Sequence, residues 1–188
     1  MATPTLETKR LILRPLHLAD APAVQQQFPH WNVVKFLSNH VPWPYPEDGA
    51  EQFVTENLAE QEAANVLCWA ITIRQHGTAL AGLLEFRISP PEHPTGQRGF
   101  WLAEEFWGRG YMTEAVAVVN DYLFGELEIE RFKTENAVAN TASSKIKESK
   151  IGRLVEVTES DFLCGRLPCE IWEVTRQDWL NSTGRKGL

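Results

Sequence analysis

Gly108-Arg109-Gly110 follows the apolar run "FWLA" and precedes a segment in which Met112, Ala115, Val116, Val119 and Leu123 recur at helical spacing. Glycine lacks a side chain to hold a ligand away and adopts positive φ freely, so the junction offers bare main-chain N–H groups at the positive end of a helix dipole. That arrangement suits an anion, and phosphate in particular. Two phosphate loops are excluded by their own residues. No Gly-Lys-Ser/Thr ends the segment, as a Walker loop requires, and Thr113 stands where the dinucleotide fingerprint needs its third glycine. Metal chemistry finds no support either. Cys68, Cys164 and Cys169 are odd in number and have no nearby histidine, and His17, His30, His40, His76 and His93 are scattered without ligand spacing. No metal is expected.

A helix that presents such a loop needs a sheet to stand on. "RLILRPL" (10–16) reads as a strand, followed by a helix whose start is Asp20. Prolines alternate with Val41, Trp43 and Tyr45 in a stiff loop, and Pro46, Glu47 and Asp48 open a second helix. "LCWAITIR" and "ALAGLLEFRIS" form a hairpin across "QHGT", and "PPEHPTGQ" leads to a third strand, "RGFWLA". The amphipathic helix over 110–124 follows, then strand "RFKTENAV". A helix with Asn140 as N-cap and Gly152 as stop precedes two closing strands, "RLVEVTE" and "CEIWEVTR".

The 188 residues are 43% hydrophobic, with 7 Trp and 9 Phe, enough for one substantial core. A single domain over 1–180 is expected, with 181–188 as a loose tail. The net charge of −7 argues against nucleic acid, whose binders carry a basic face. Small cationic or amine-bearing partners fit it better, although a mildly acidic surface is ordinary for soluble proteins. There is no apolar run of the ~18–20 residues that would span a bilayer, and "MATPTLETKRL" lacks the apolar stretch of a signal peptide. The expectation is a cytoplasmic protein without membrane contact.

A Gly-x-Gly loop before a helix and after an antiparallel meander resembles the pyrophosphate loop of the GNAT family of acyl-CoA N-acyltransferases. The chain is most similar to its Rim-type branch, which includes acetyltransferases of ribosomal-protein N-termini. "ETKRLILRPLHLADA" resembles that branch's opening strand and helix, "FWLAEEFWGRGYMTEAV" its acyl-CoA loop, and "ENAVANTASSKIKESKIG" its second cofactor segment. The resemblance implies an α+β fold with a mixed, mostly antiparallel central sheet flanked by about four helices.

It also implies acetyl-CoA as donor, held by the main chain of Gly108, Arg109, Gly110, Tyr111, Met112 and Thr113. Strands beside the loop would splay, and the open edge of Trp101, Leu102 and Ala103 would pair with the pantetheine arm. Glu105 replaces the family's usual Gln or Arg at the head of the motif, a change that a main-chain site tolerates. Asn140 would bond the pantetheine and Ser143, three residues on, would protonate the leaving sulfur; an ordinary N-cap and a solvated serine are the alternatives.

Amide formation from a thioester also needs a base for the amine. Glu85 is the best-placed carboxylate, because period two turns it away from Leu84 and Phe86. A salt bridge to Arg87 or Arg98 competes with that role. The strand "GQRGFWLA" carries Gln97 and no acid where some family members have glutamate, so a water relay is the alternative base. Lys145 and Lys147 are either phosphate contacts or a solvated basic face, and Trp43 and Tyr45 either wall the acceptor site or pack in the core. The resulting expectation is direct acetyl transfer in a ternary complex to a protein N-terminus or a small amine, by a monomer or homodimer. A non-catalytic CoA-sensing module, or transfer of a larger acyl group or to a hydroxyl, is the competing reading.

Overall fold

Apolar run length sorts the strands of this chain into covered and uncovered ones. The structure, a computed structural model, describes residues 2–64, 66–88, 96–148 and 152–184. β1 (Leu6–Glu7), β2 (Leu11–Pro15), β3 (Val66–Ile73), β4 (Leu80–Ile88), β5 (Gly96–Leu102), β6 (Arg131–Ala137), β7 (Gly152–Phe162) and β8 (Gly165–Thr175) form one sheet in the order β1-β2-β3-β4-β5-β6-β8-β7. Every residue of β3, "VLCWAITI", is buried, as befits a strand covered on both faces. The edge strand β7 is exposed along most of its length.

Two layers of helix provide the cover. α1 (Ala21–Gln27), the single turn α2 (Trp31–Val34) and α3 (Gly49–Glu62) lie on one face and pack Val24, Val34 and Val54 with Leu16, Cys68 and Leu83. α4 (Tyr111–Gly125) and the C-terminal α6 (Arg176–Thr183) pack on the other, over Trp69, Leu84, Phe86 and Phe132. α5 (Thr141–Glu148) stands after β6. The mixed, mostly antiparallel sheet is as expected. The described residues hold six α-helices rather than about four: α2 is too short for periodicity to register, and α6 begins on a Thr175 cap whose hydroxyl accepts from the Asp178 N–H. Asn181 to Thr183, read as tail, belong to that helix.

One cap differs from expectation. Asp20 stands at the N-cap of α1, where the helix was expected to start; its carboxylate makes no cap bond and instead takes both Arg14 guanidinium nitrogens (2.8 and 2.6 Å) and the His17 N–H (2.9 Å), closing the 3-10 turn before the helix. Gly152 is the first residue of β7 rather than a helix stop. A Cβ there would lie 3.0 Å from the Lys147 carbonyl oxygen, so close helix–strand contact is what requires glycine. The expected loop over 89–95 lies outside the described residues.

One junction in the sheet is incomplete. All neighbouring pairs are antiparallel except β5 and β6, which run parallel and meet in register only at Gln97 and Lys133. Thr134 Oγ1 donates to the Arg98 carbonyl (3.2 Å) just beyond. From there β5 stays with β4 as far as Leu102, while β6 stays with β8 as far as Ala137. The sheet parts between them.

Candidate active site

The parted strands open beside the glycine loop. After β5 the chain makes a 3-10 turn at Glu104–Phe106 and reaches Gly108 (φ +72°) and Gly110 (φ +75°), both left-handed. A Cβ on Gly108 would meet nothing, and one on Gly110 only the Arg10 guanidinium at 3.5 Å, so the surface of the loop is open. Tyr111 and Met112 bury their side chains in the core. The N–H groups of the first α4 turn have no intrahelical acceptor, and among the described residues those of 108–113 donate to nothing else. An anion fits this loop.

Arg10, just before β2, completes it. Nε donates to Glu114 Oε2 (2.6 Å), Nη1 donates to the Arg109 carbonyl (2.8 Å), and the guanidinium lies 4.7 Å from the Tyr111 ring centre. Thr8 Oγ1 also donates to Glu114 (2.5 Å), and these bonds hold the Glu114 carboxyl below its ordinary pKa despite its partial burial. Glu105 is exposed beside the loop.

Of the three residues expected along the open edge, one faces it. The Ala103 N–H donates to the Ala81 carbonyl (2.9 Å), and the Trp101 carbonyl points at Gly82, where a Cβ would lie 2.3 Å away. Both therefore face β4. Alternation leaves Leu102 and Phe100 to present their main chain to the gap. The Leu102 carbonyl accepts from the exposed Trp107 indole (2.6 Å) and keeps a second lone pair.

Across the gap, Asn140 Oδ1 accepts from the Ser143 N–H (3.3 Å), the N-cap bond, and its amide nitrogen is left to other partners. Ser143 is buried, not solvated. Lys147 departs furthest from expectation: it is 2% exposed, packed under α5 rather than on a basic face. Its ammonium donates to the Glu135 carbonyl (3.0 Å), Ser143 Oγ (3.3 Å) and Asn136 Oδ1. Burial, with Arg98 adding repulsion, pulls its pKa down to about 7.

Glu85 lies directly opposite Gly99, over which a Cβ would meet nothing. Arg87 Nε binds one carboxylate oxygen (2.7 Å) and Asn57 Nδ2, from α3, donates to the other (2.7 Å). Burial nevertheless raises its pKa, with Arg87 opposing. The Arg87 pairing foreseen as an alternative is thus present, and Arg98 is buried away from Glu85, donating to Asn120 (2.8 Å). Cys68 is core, its thiol pushed well up by burial. Among the described residues no three His, Cys, Asp or Glu side chains cluster as a metal site.

Residues 31–39 span the end of this face. Asn32 donates to Glu104 (3.3 Å) at the turn after β5, while Leu37 and Asn39 bond Leu163 and Asp161 at the β7–β8 hairpin. Tyr45 packs on Phe28 (5.2 Å), which packs on Trp101 (5.3 Å). Trp43 leans on Trp31 (5.5 Å), and both remain over 40% exposed. Tyr45 is therefore partly core, and Trp43 is surface.

The acetyltransferase (GNAT) domain family matches residues 10–150. The chain belongs to this family. The uncharacterized N-acetyltransferase p20 of Bacillus licheniformis is 27% identical over 146 residues, 77% of this chain and 80% of that protein. Two solved structures share the GNAT fold. The ribosomal-protein-S5-alanine acetyltransferase of Vibrio fischeri superposes with a TM-score of 0.80 at 15% identity, covering 94% of this chain and 98% of that one. RimL, a ribosomal L7/L12 alpha-N-protein acetyltransferase in complex with coenzyme A, has a TM-score of 0.80 at 19% identity, covering 92% and 98%. They show the fold; the family match makes the chain an acyl-CoA-dependent N-acetyltransferase.

Beside the open loop and the parted strands, Arg10 could not be singled out from sequence, and Lys147, named there with Lys145 as a phosphate contact or a solvated cation, could not be seen to be buried. Arg10 is 99 positions from its acceptor. Lys147 shares with Lys145 a short helix whose buried side only packing reveals.

Proposed function

We propose that this GNAT enzyme moves an acetyl group from acetyl-CoA directly to a primary amine in a ternary complex, with a protein or peptide N-terminus favoured over a small amine. The observation that carries this reading is the conjunction of two left-handed glycines at the head of α4 with a sheet joined at a single β5–β6 register pair. Main-chain donors of 108–113 bind the pyrophosphate. Leu102 pairs with the pantetheine amides as an added strand would, and the Asn140 amide nitrogen assists from the other side.

Glu85 borders the open space over Gly99, where an acceptor amine can lie, and its burial favours taking up a proton. A water between Glu85 and the amine can carry that proton, which accommodates the relay alternative. Ser143 gives its hydroxyl proton to the departing sulfur. Orientation of amine and thioester supplies much of the remaining acceleration. The exposed Trp31–Trp43 pair forms the outer wall for the acceptor.

The test mixes protein and acetyl-CoA with short peptides of varied N-terminal residue and with small amines, following free thiol and acetylated product by mass. Thiol release with a peptide, and a product heavier by the mass of one acetyl group, supports the reading. Coenzyme A binding without thiol release for any amine would instead favour a sensing module.

A further inference from the structure

We infer that Lys147 is the proton reservoir behind Ser143, passing its proton through the Ser143 hydroxyl to the sulfur of the leaving coenzyme. The inference rests on the proposed role of Ser143 and deepens it. As an ammonium, Lys147 has three protons and three acceptors: the Glu135 carbonyl (3.0 Å), Asn136 Oδ1 and Ser143 Oγ (3.3 Å). A carbonyl oxygen can only accept. Asn136 cannot turn its amide round, because Nδ2 shares its two protons among the Ala137 carbonyl (2.9 Å), Ser144 Oγ (3.0 Å) and Glu170 Oε2 (3.1 Å), and a turned amide would aim its oxygen at that carbonyl and carboxylate. Ser143 is therefore the one partner of the three that can reverse its hydrogen bond when Lys147 loses a proton.

The neighbouring serine is committed elsewhere, since Ser144 Oγ donates to Glu170 Oε2 (2.7 Å). Ser143 is not: its oxygen accepts from Lys147, and among the described residues its own proton has no acceptor. That proton is held pointing away from the ammonium. As the C–S bond breaks, the electron pair stays on sulfur and takes the Ser143 proton. Ser143 oxygen takes one from Lys147, and solvent restores Lys147 after the product leaves. The amine nitrogen bonds the acetyl carbon in place of sulfur, and the proton it sheds passes to Glu85 and from there to solvent, so the count balances.

The charges around Lys147 suit this exchange. Arg98 on β5 opposes its charge, while Glu135 on β6 and Cys169 and Glu170 on β8 favour it, and burial outweighs them all. The result is an acid of about 7 facing a thiol whose ordinary value is roughly 8.5, so transfer to the thiolate runs downhill.

The test titrates the thiol of bound coenzyme A by its thiolate absorbance in complexes of the wild type, Lys147→Met and Ser143→Ala. Donation to the sulfur stabilises the thiolate, so the wild-type complex should titrate about one pH unit below free coenzyme A. Both substitutions should abolish that shift while affinity for desulfo-coenzyme A, which lacks the sulfur, is unchanged. A shift lost in Ser143→Ala but kept in Lys147→Met would overturn the role of Lys147 and leave that of Ser143. The reverse pattern would mean direct contact with sulfur and overturn the relay. A bound thiol insensitive to both would remove Ser143 as the acid. Should Lys147→Met fail to fold, the wild type labelled with 13C at lysine Cε decides. The Lys147 midpoint should lie about half a unit higher with coenzyme A than with desulfo-coenzyme A, and equal midpoints overturn the inference.

Discussion

Arg10 Nη1 donates to the main-chain oxygen of Arg109 over 2.8 Å, tying the start of β2 to the middle of the glycine loop. The same guanidinium is held by Glu114 one turn into α4, so loop and helix share one clamp. Arg10→Ala should lower coenzyme A affinity about tenfold, ~1.4 kcal/mol, by releasing the loop and removing a nearby cation. Because the pair is partly exposed, global stability should fall by less than ~1 kcal/mol. Calorimetric titration and urea unfolding measure the two separately.

Gly110 separates strain from charge. At φ +75° alanine is disfavoured by roughly 1–2 kcal/mol, whereas aspartate tolerates the left-handed region better. Gly110→Ala should therefore be the less stable variant and Gly110→Asp the weaker coenzyme A binder. Identical ranking in both measurements would count against phosphate binding at the loop.

Trp43 rests on Trp31 at the surface, 42% exposed. Trp43→Ala should raise KM for the amine found in the peptide and amine survey and leave the Kd for coenzyme A unchanged. Steady-state kinetics with both substrates varied gives the answer.

Glu85 has a folded pKa above its unfolded value of 4.5, so between the two values the native chain binds the extra proton. Its contribution to stability is complete below pH 4.5 and is lost as pH rises through the folded value. The stability of the wild type minus that of Glu85→Gln should accordingly fall from pH 4.5 to pH 7 in urea unfolding. A flat difference would show that Arg87 and Asn57 fully offset the burial.

Lys147 has the opposite sign. Its folded value of about 7 is below the unfolded 10.5, so across that window the unfolded chain binds the extra proton and stability rises with pH. Relative to Lys147→Met, the wild type should gain on the order of 1.4 kcal/mol per pH unit between these values. Unfolding free energies at three pH values within the window suffice.

Local signals in the chain were sufficient for much of this. The alternation around Glu85 correctly turns it away from Leu84 and Phe86, because a strand has only two faces. Gly108 and Gly110 advertise left-handed backbone, because other residues rarely adopt it without strain. α2 and the first turns of α6 were not legible. A four-residue helix carries no period, and the polar sequence of α6 hides the burial of Trp179 against α4.

By itself, then, the sequence determined the order of β2 to β8 with α1, α3, α4 and α5 between them, the open loop and the spacing of Asn140 and Ser143, all of which depend on residues a few positions apart. Tertiary structure alone decided that Leu102 rather than Trp101 or Ala103 faces the gap, since strand register assigns each main-chain group to one side. It also brought Arg10 to Arg109 and sank Lys147 beneath Ser143. Those contacts depend on which distant elements share a face, and burial, which sets the charge of a lysine, exists only once the chain has packed.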